Sequence, residues 1–200
     1  MDNKTNHFSI PGWVRKQFFP NKIVSSPVAI DFAKLATQGF RVVLLDIDNT
    51  LVCHGSHECD DFAAGIIDRV RAVGMDPIIV SNARSNRAQS FASSLDVEFI
   101  ANARKPSTQS ILGDLSGRQC PPHHAVMVGD QLLTDVWFAK KAGVPVILTE
   151  KRSQKEIITV RLKRILESLL IRLGGRDHWN HLYTESLEFP REDETTYDCK

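Results

Sequence analysis

Residues 41–52 constrain this chain more than any other stretch. Four apolar residues, Val42 to Leu45, form an unbroken run, which suits a central strand buried on both faces. Two acids one residue apart come next, Asp46 and Asp48. In a continuing strand they would point to the same side. At the strand's C-terminal edge they would sit where open α/β sheets bind ligands. Two carboxylates brought together need a cation or a shared proton to compensate. A solvated turn would account for the acids and for Asn49, but not for their position directly on so apolar a run.

The pattern recurs downstream. Ser81-Asn82 ends a second apolar run, 35 residues after Asp46; Lys105-Pro106 comes 24 residues later, and Gly129-Asp130, with Asp135 close behind, another 25. Strands are expected at 41–45, 77–80, 97–100, 125–128 and 145–148. Helices are expected at 61–73, 85–95, 107–115 and 134–142, with Gly74 and Gly143 as stops. Strands alternating with helices imply a Rossmann-like, doubly wound parallel sheet. Taken singly, Ser81 reads as a helix cap, Lys105 as a surface lysine and Asp135 as a first-turn acid. As an ordered set at strand ends they read as one site.

Two hundred residues suit one domain with a real core. A net charge of +1 excludes a nucleic-acid binder by charge. Four cysteines are too few for a disulfide scaffold. The spacing Cys53-His54-x-x-His57-x-Cys59 matches no common zinc pattern, so reduced cytosolic thiols are expected. The N-terminus is polar, without a signal-peptide core, and no uncharged apolar run would span a bilayer.

The flanks read differently. Residues 1–25 are expected to be an irregular N-terminal arm broken by Pro11 and Pro20, with Trp13, Phe18 and Phe19 among Arg15, Lys16 and Lys22. Such a mixture suits a membrane interface or an arm laid on the domain's own core. Ser26-Pro27 opens a helix over 28–38. The main domain is expected over 26–175 and includes an amphipathic helix at 154–173. Ile158, Leu162, Ile165, Leu166, Leu169 and Leu173 make its apolar stripe, and Arg161, Lys163, Arg164 and Arg172 its basic side. That stripe would dock on the sheet, on a partner or on an anionic membrane. Residues 176–200 read as an acidic, flexible tail.

The ordered set Asp46-x-Asp48, Ser81, Lys105 and Asp130…Asp135 resembles the four motifs of the haloacid dehalogenase (HAD) superfamily, whose usual members are Mg²⁺-dependent phosphatases. The resemblance implies a phosphoric monoester hydrolase in which Asp46 is the nucleophile and forms an aspartyl-phosphate. Asp48 is then the general acid and base. Ser81, Asn82, Thr50 and Lys105 hold the phosphoryl group. Mg²⁺ would bind Asp46, Asp48 through its carbonyl, Asp130 and Asp135. Neither interval where the superfamily inserts caps has room for one, which implies a capless (subclass III) enzyme open to bulky substrates.

Three stretches, 45–51, 99–106 and 128–136, resemble the YqeG and phosphatidylglycerophosphate phosphatase group more closely, above all in Gly129-Asp130-Gln131-x-x-Thr134-Asp135. Ala83 and the C-terminal tail depart from that pattern. The group implies dephosphorylation of phosphatidylglycerophosphate to phosphatidylglycerol by a cytoplasmic protein, peripheral on the inner membrane surface. Alternative readings are a soluble phosphatase for nucleotide or sugar phosphates, and a catalytically weak HAD scaffold that binds or regulates.

Overall fold

The computed structural model describes residues 9–52, 60–82, 85–100, 103–152 and 158–183. The Cys53–Cys59 stretch and the acidic part of the tail lie outside them. Six parallel strands form one sheet: β1 (Lys22–Val24), β2 (Val42–Leu45), β3 (Asp76–Val80), β4 (Glu98–Ile100), β5 (Ala125–Gly129) and β6 (Val146–Thr149). Their order is β1-β6-β5-β2-β3-β4. The chain winds outward from β2 through β3 to β4, then returns to lay β5 on the other side of β2. The winding therefore reverses between β2 and β5, and an open α/β sheet has its crevice at the C-terminal ends of that pair.

The period of two is visible in the core. Val43, Leu45, Ile79, Val126 and Val128 pack on one face, with Ile66, Ile67 and Phe91 from α3 (Asp61–Ala72) and α4 (Ser85–Ser94). Val42, Leu44, Ile78, Val80 and Met127 pack on the other, with Ile111, Leu115 and Phe138. These come from α5 (Gln109–Gly117) and α6 (Trp137–Ala142). Central parallel strands buried on both faces explain the unbroken apolar runs. Among the described residues the interval between β2 and β3 carries α3, and that between β3 and Lys105 carries α4 and β4.

Four expectations change. The stretch expected to be irregular carries α1 (Ile10–Phe18) and then edge strand β1. Pro11 lies in the first helical turn, which tolerates proline, and the Ser9 side chain accepts from the Gly12 N–H at 3.2 Å. The helix expected over 28–38 is broken into a 3₁₀ turn, Pro27–Ala29, and α2 (Phe32–Thr37). Asp31 starts the second piece by accepting from the Lys34 N–H at 2.9 Å. The helix expected from Thr134 opens with a π-helical turn, Leu132–Val136, before α6.

The last long helix, α7 (Ile158–Gly174), turns the opposite side inward from the one its apolar stripe suggests. Leu170 is buried with Val14, Phe18 and Phe19 of the α1 segment, and Glu167 is buried as well. Ile165, Leu166, Leu169 and Leu173 stay exposed. After α8 (Arg176–Asn180), the Leu182 carbonyl accepts from the Ile23 N–H at 2.8 Å, so the segment that follows α8 closes against β1.

Candidate active site

Strand β2 delivers Asp46 to the crevice. Its backbone N–H donates to the Val128 carbonyl at 3.0 Å, so Asp46 continues the β2–β5 ladder by one residue. Asn49 comes three residues on with φ +60°, a left-handed turn that asparagine accepts more readily than most side chains. Strand β5 delivers Asp130 from the other side, and the π-helical turn folds Asp135 back over Gly129. Oxygens of Asp46, Asp130 and Asp135, all buried, lie within 4.8 Å of one another. A π-turn re-aims a side chain that a regular helix would carry elsewhere.

Lys105 is the cation in this cluster. Its Nζ donates to Asp46 Oδ1 and to Asp135 Oδ1, each at 2.5 Å, and its side chain is 2 % exposed. Asn82, just past β3, fixes it: Oδ1 accepts from the Lys105 N–H at 2.7 Å and Nδ2 donates to the Lys105 carbonyl at 2.9 Å. One amide thus satisfies both halves of the Lys105 backbone, and the ammonium is aimed from a fixed base. Ser81, the residue before Asn82 and just past the end of β3, is buried.

Burial pushes the Asp46 carboxyl up to about 7; Lys105 opposes this, and Asp135 and Asp48 add to it. Asp130 is raised well above the carboxylate range by burial, then by Asp135 and Asp46, against Arg164. Burial would lower Lys105, but Asp135 and Asp46 outweigh it and hold the ammonium charged. A buried acid trio with one resident lysine is short of positive charge.

The donor set fits a hard divalent cation. All three groups offer carboxylate oxygens, the ligands Mg²⁺ prefers. Asp130 Oδ1 and the Thr50 hydroxyl are buried and make no hydrogen bond among the described residues. Buried polar atoms of this kind call for a ligand or a water.

The Asp48 carboxylate stands apart from the trio. Arg87, in the first turn of α4, grips it with two parallel bonds of 2.8 Å. On the opposite flank Arg164 of α7 donates to Asp130 Oδ2 and, at 2.7 Å, to the Asp130 carbonyl. Glu167, one turn on, accepts from the Leu132 N–H at 2.8 Å and pairs with Arg164 at 3.1 Å. The start of the π-turn is therefore tied to α7.

Of the residues singled out in the sequence, Asp46, Lys105, Asp130 and Asp135 meet directly. Arg87, Arg164 and Glu167 are additions, and two of them left a faint trace. Arg87 is a cation in a helix's first turn, where the dipole disfavours it. Glu167 is the single acid of α7.

The chain is similar in sequence to known proteins. Residues 102–169 match the HAD-hydrolase-like family model. A Bacillus subtilis protein named "Probable phosphatase YqeG" is 27% identical over 158 residues, 79% of this chain and 92% of that protein. Phosphatidylglycerophosphate phosphatase 1, chloroplastic/mitochondrial, of Arabidopsis thaliana is 28% identical over 168 residues; the match takes in 79% of this chain but 48% of the plant protein. An uncharacterised protein from Listeria monocytogenes serotype 4b superposes with a TM-score of 0.47 at 16% identity, over 66% of this chain and 99% of its own. With its acid–lysine cluster at the sheet's crevice, this chain is a phosphatase that resembles the HAD enzymes and, among them, the YqeG group.

Proposed function

We propose that the protein is a Mg²⁺-dependent phosphomonoesterase whose substrate is phosphatidylglycerophosphate. The observation that carries the chemistry is the convergence of Asp46, Asp130 and Asp135 on one another, with Lys105 bonded to two of them. Mg²⁺ bound by Asp46, Asp130, Asp135 and the Asp48 carbonyl would supply positive charge that draws the phosphoryl group towards the carboxylate nucleophile.

Asp46 attacks phosphorus through a carboxylate oxygen and forms the acyl-phosphate bond as the P–O bond to the glycerol oxygen breaks. Asp48 gives that oxygen its proton. A water then attacks phosphorus, Asp48 takes the proton, and inorganic phosphate leaves with Asp46 restored. Lys105, Ser81 and Thr50 stabilise the equatorial oxygens. For the acid role Asp48 must leave the two-bond grip of Arg87.

Two facts support the lipid substrate. One is the likeness to the plant phosphatidylglycerophosphate phosphatase. The other is that, among the described residues, the interval after β2 holds α3 and that between β3 and Lys105 holds α4 and β4, elements of the sheet's own winding, which leaves room at the crevice for a bulky headgroup. Such an ester is met at a membrane surface. No described helix is long and apolar enough to cross a membrane, so the contact would be peripheral.

The test is phosphate release from phosphatidylglycerophosphate in mixed micelles with and without Mg²⁺, beside a panel of soluble esters, with Asp46→Asn as blank. Selective lipid turnover that Asp46→Asn lacks is the expected result. Turnover on soluble esters alone would overturn the substrate and keep the chemistry.

A further inference from the structure

Helix α7 has two apolar sides, and the fold uses one. Looking down its axis, buried Glu167, Leu170 and Gly174 share the inner side. At 100° per residue, Ile165, Leu169, Leu173 and Leu166 fall within one arc on the far side, and all four are exposed, Ile165 at 69 %. Nothing described covers that arc. Helix α1 packs beside α7: Phe19 lies against Gly174, and the Arg15 guanidinium donates at 2.5 Å to its carbonyl. Ile10 and Trp13 of α1 are also exposed, at 59 % and 46 %. Single exposed apolar residues need no explanation, but four in one arc of a helix, with two more on the helix packed beside it, are more than scattered exposure.

The charge says what. Helix α1 carries Arg15 and Lys16 and no acid; α7 carries Arg161, Lys163, Arg164 and Arg172 against Glu167 alone. The two helices together hold +5 in a chain whose net charge is +1. The single acid is turned inward, bonded to the Leu132 and Leu133 N–H groups. Lys16 and Arg172 are exposed, Lys16 one turn along from Trp13 and Arg172 beside the apolar arc. A two-fold contact between copies would set this patch against itself and bring like charges together with no acid of either helix to answer them. An anionic lipid surface answers both features: basic groups meet headgroups, and apolar residues with a tryptophan enter the interface.

We propose that α1 and the outer arc of α7 seat the protein on an anionic lipid surface. This deepens the lipid reading of the site and rests on it for its setting. Docking and turnover are measured separately, so either can fail alone.

The experiment is flotation of the full chain with vesicles of phosphatidylglycerol and phosphatidylcholine, and with phosphatidylcholine alone, at low and high salt. Binding to the anionic vesicles, weakened by salt and absent from neutral ones, is expected. Leu169→Glu and Arg172→Glu, each checked for an unchanged melting curve, should lower the partition coefficient on the order of tenfold. Hydrolysis of a soluble ester by both variants should stay at the wild-type rate, since neither residue touches the crevice. Absent anionic binding at low salt overturns the proposal, as does wild-type binding by both variants. A wild-type dimer in sedimentation, made monomeric by Leu169→Glu in a protein that ignores vesicles, would give the arc to a second copy instead.

Discussion

Arg164 and Asp130 touch twice: one guanidinium donates both to the carboxylate and to the backbone carbonyl of the same aspartate. The carboxylate's second oxygen is left without a hydrogen bond among the described residues. Arg164 therefore acts as an orienter, holding one oxygen so that the other points into the acid trio. Arg164→Gln should weaken Mg²⁺ binding by about 10–100-fold, the usual cost of losing such a support, with Arg164→Lys falling between. Calorimetric titration of Mg²⁺ measures this directly. Tighter binding in Arg164→Gln would mean that the arginine competes with the metal.

Gly129 leaves room for Asp135. A Cβ at position 129 would stand 2.5 to 2.6 Å from three atoms of the Asp135 side chain, a separation that side chains do not tolerate. Gly129→Ala should displace the Asp135 carboxylate, break its bond to Lys105 and lower turnover by roughly a hundredfold or more. The strand around it is intact, so the stability cost should stay at about 1–3 kcal/mol. Steady-state kinetics beside urea unfolding separate the two effects.

The acid trio sets a pH dependence whose sign is fixed. Folded, Asp46 keeps its proton up to about 7, and Asp130 is also raised well above its ordinary 3.8. Between those limits the metal-free folded chain binds more protons than the unfolded chain, so its stability should fall as pH rises from about 4 towards 7. Metal binding needs the carboxylates ionised and should release protons, so Mg²⁺ affinity should drop roughly tenfold per unit below about pH 7. Melting temperatures with EDTA and with Mg²⁺ should meet at low pH and part as pH rises, the EDTA curve falling while bound Mg²⁺ adds stability.

Asn82 carries the Lys105 backbone on its side chain. Asn82→Ala would leave one donor and one acceptor unmet, at about 1–3 kcal/mol, and would free the segment that aims the ammonium. Turnover should fall by roughly tenfold or more. Asn82→Asp keeps the acceptor and should cost less than Asn82→Ala in chemical denaturation.

What the sequence revealed was whatever sits at a strand end. Asp46, Ser81, Lys105 and Asp130 stand beside apolar runs or at fixed distances from them, and a parallel sheet brings those ends to one edge. Charged groups on helices left little trace. Arg87 and Arg164 look like solvated basic residues until the fold lays α4 and α7 across the crevice, because their long side chains act at positions no spacing encodes. The apolar stripe of α7 was plain, but not its direction, since a helix with two apolar sides has two ways to lie. Pro11 misled because proline breaks a helix interior yet suits a first turn. The break at Asp31 was hidden because an aspartate caps or continues according to its neighbours.

The edge of the sheet also has a history. Lys22 in β1 pairs with Ile147, 125 positions later, and Ile23 is bonded to Leu182. Strand β1 thus has no place to go until β6 and the segment after α8 have been made. Loops of that length close slowly. The emerging chain must therefore hold α1, with its aromatic residues uncovered, until α7 has followed it, so the edge strand met earliest along the sheet's sequence is among the last to be seated.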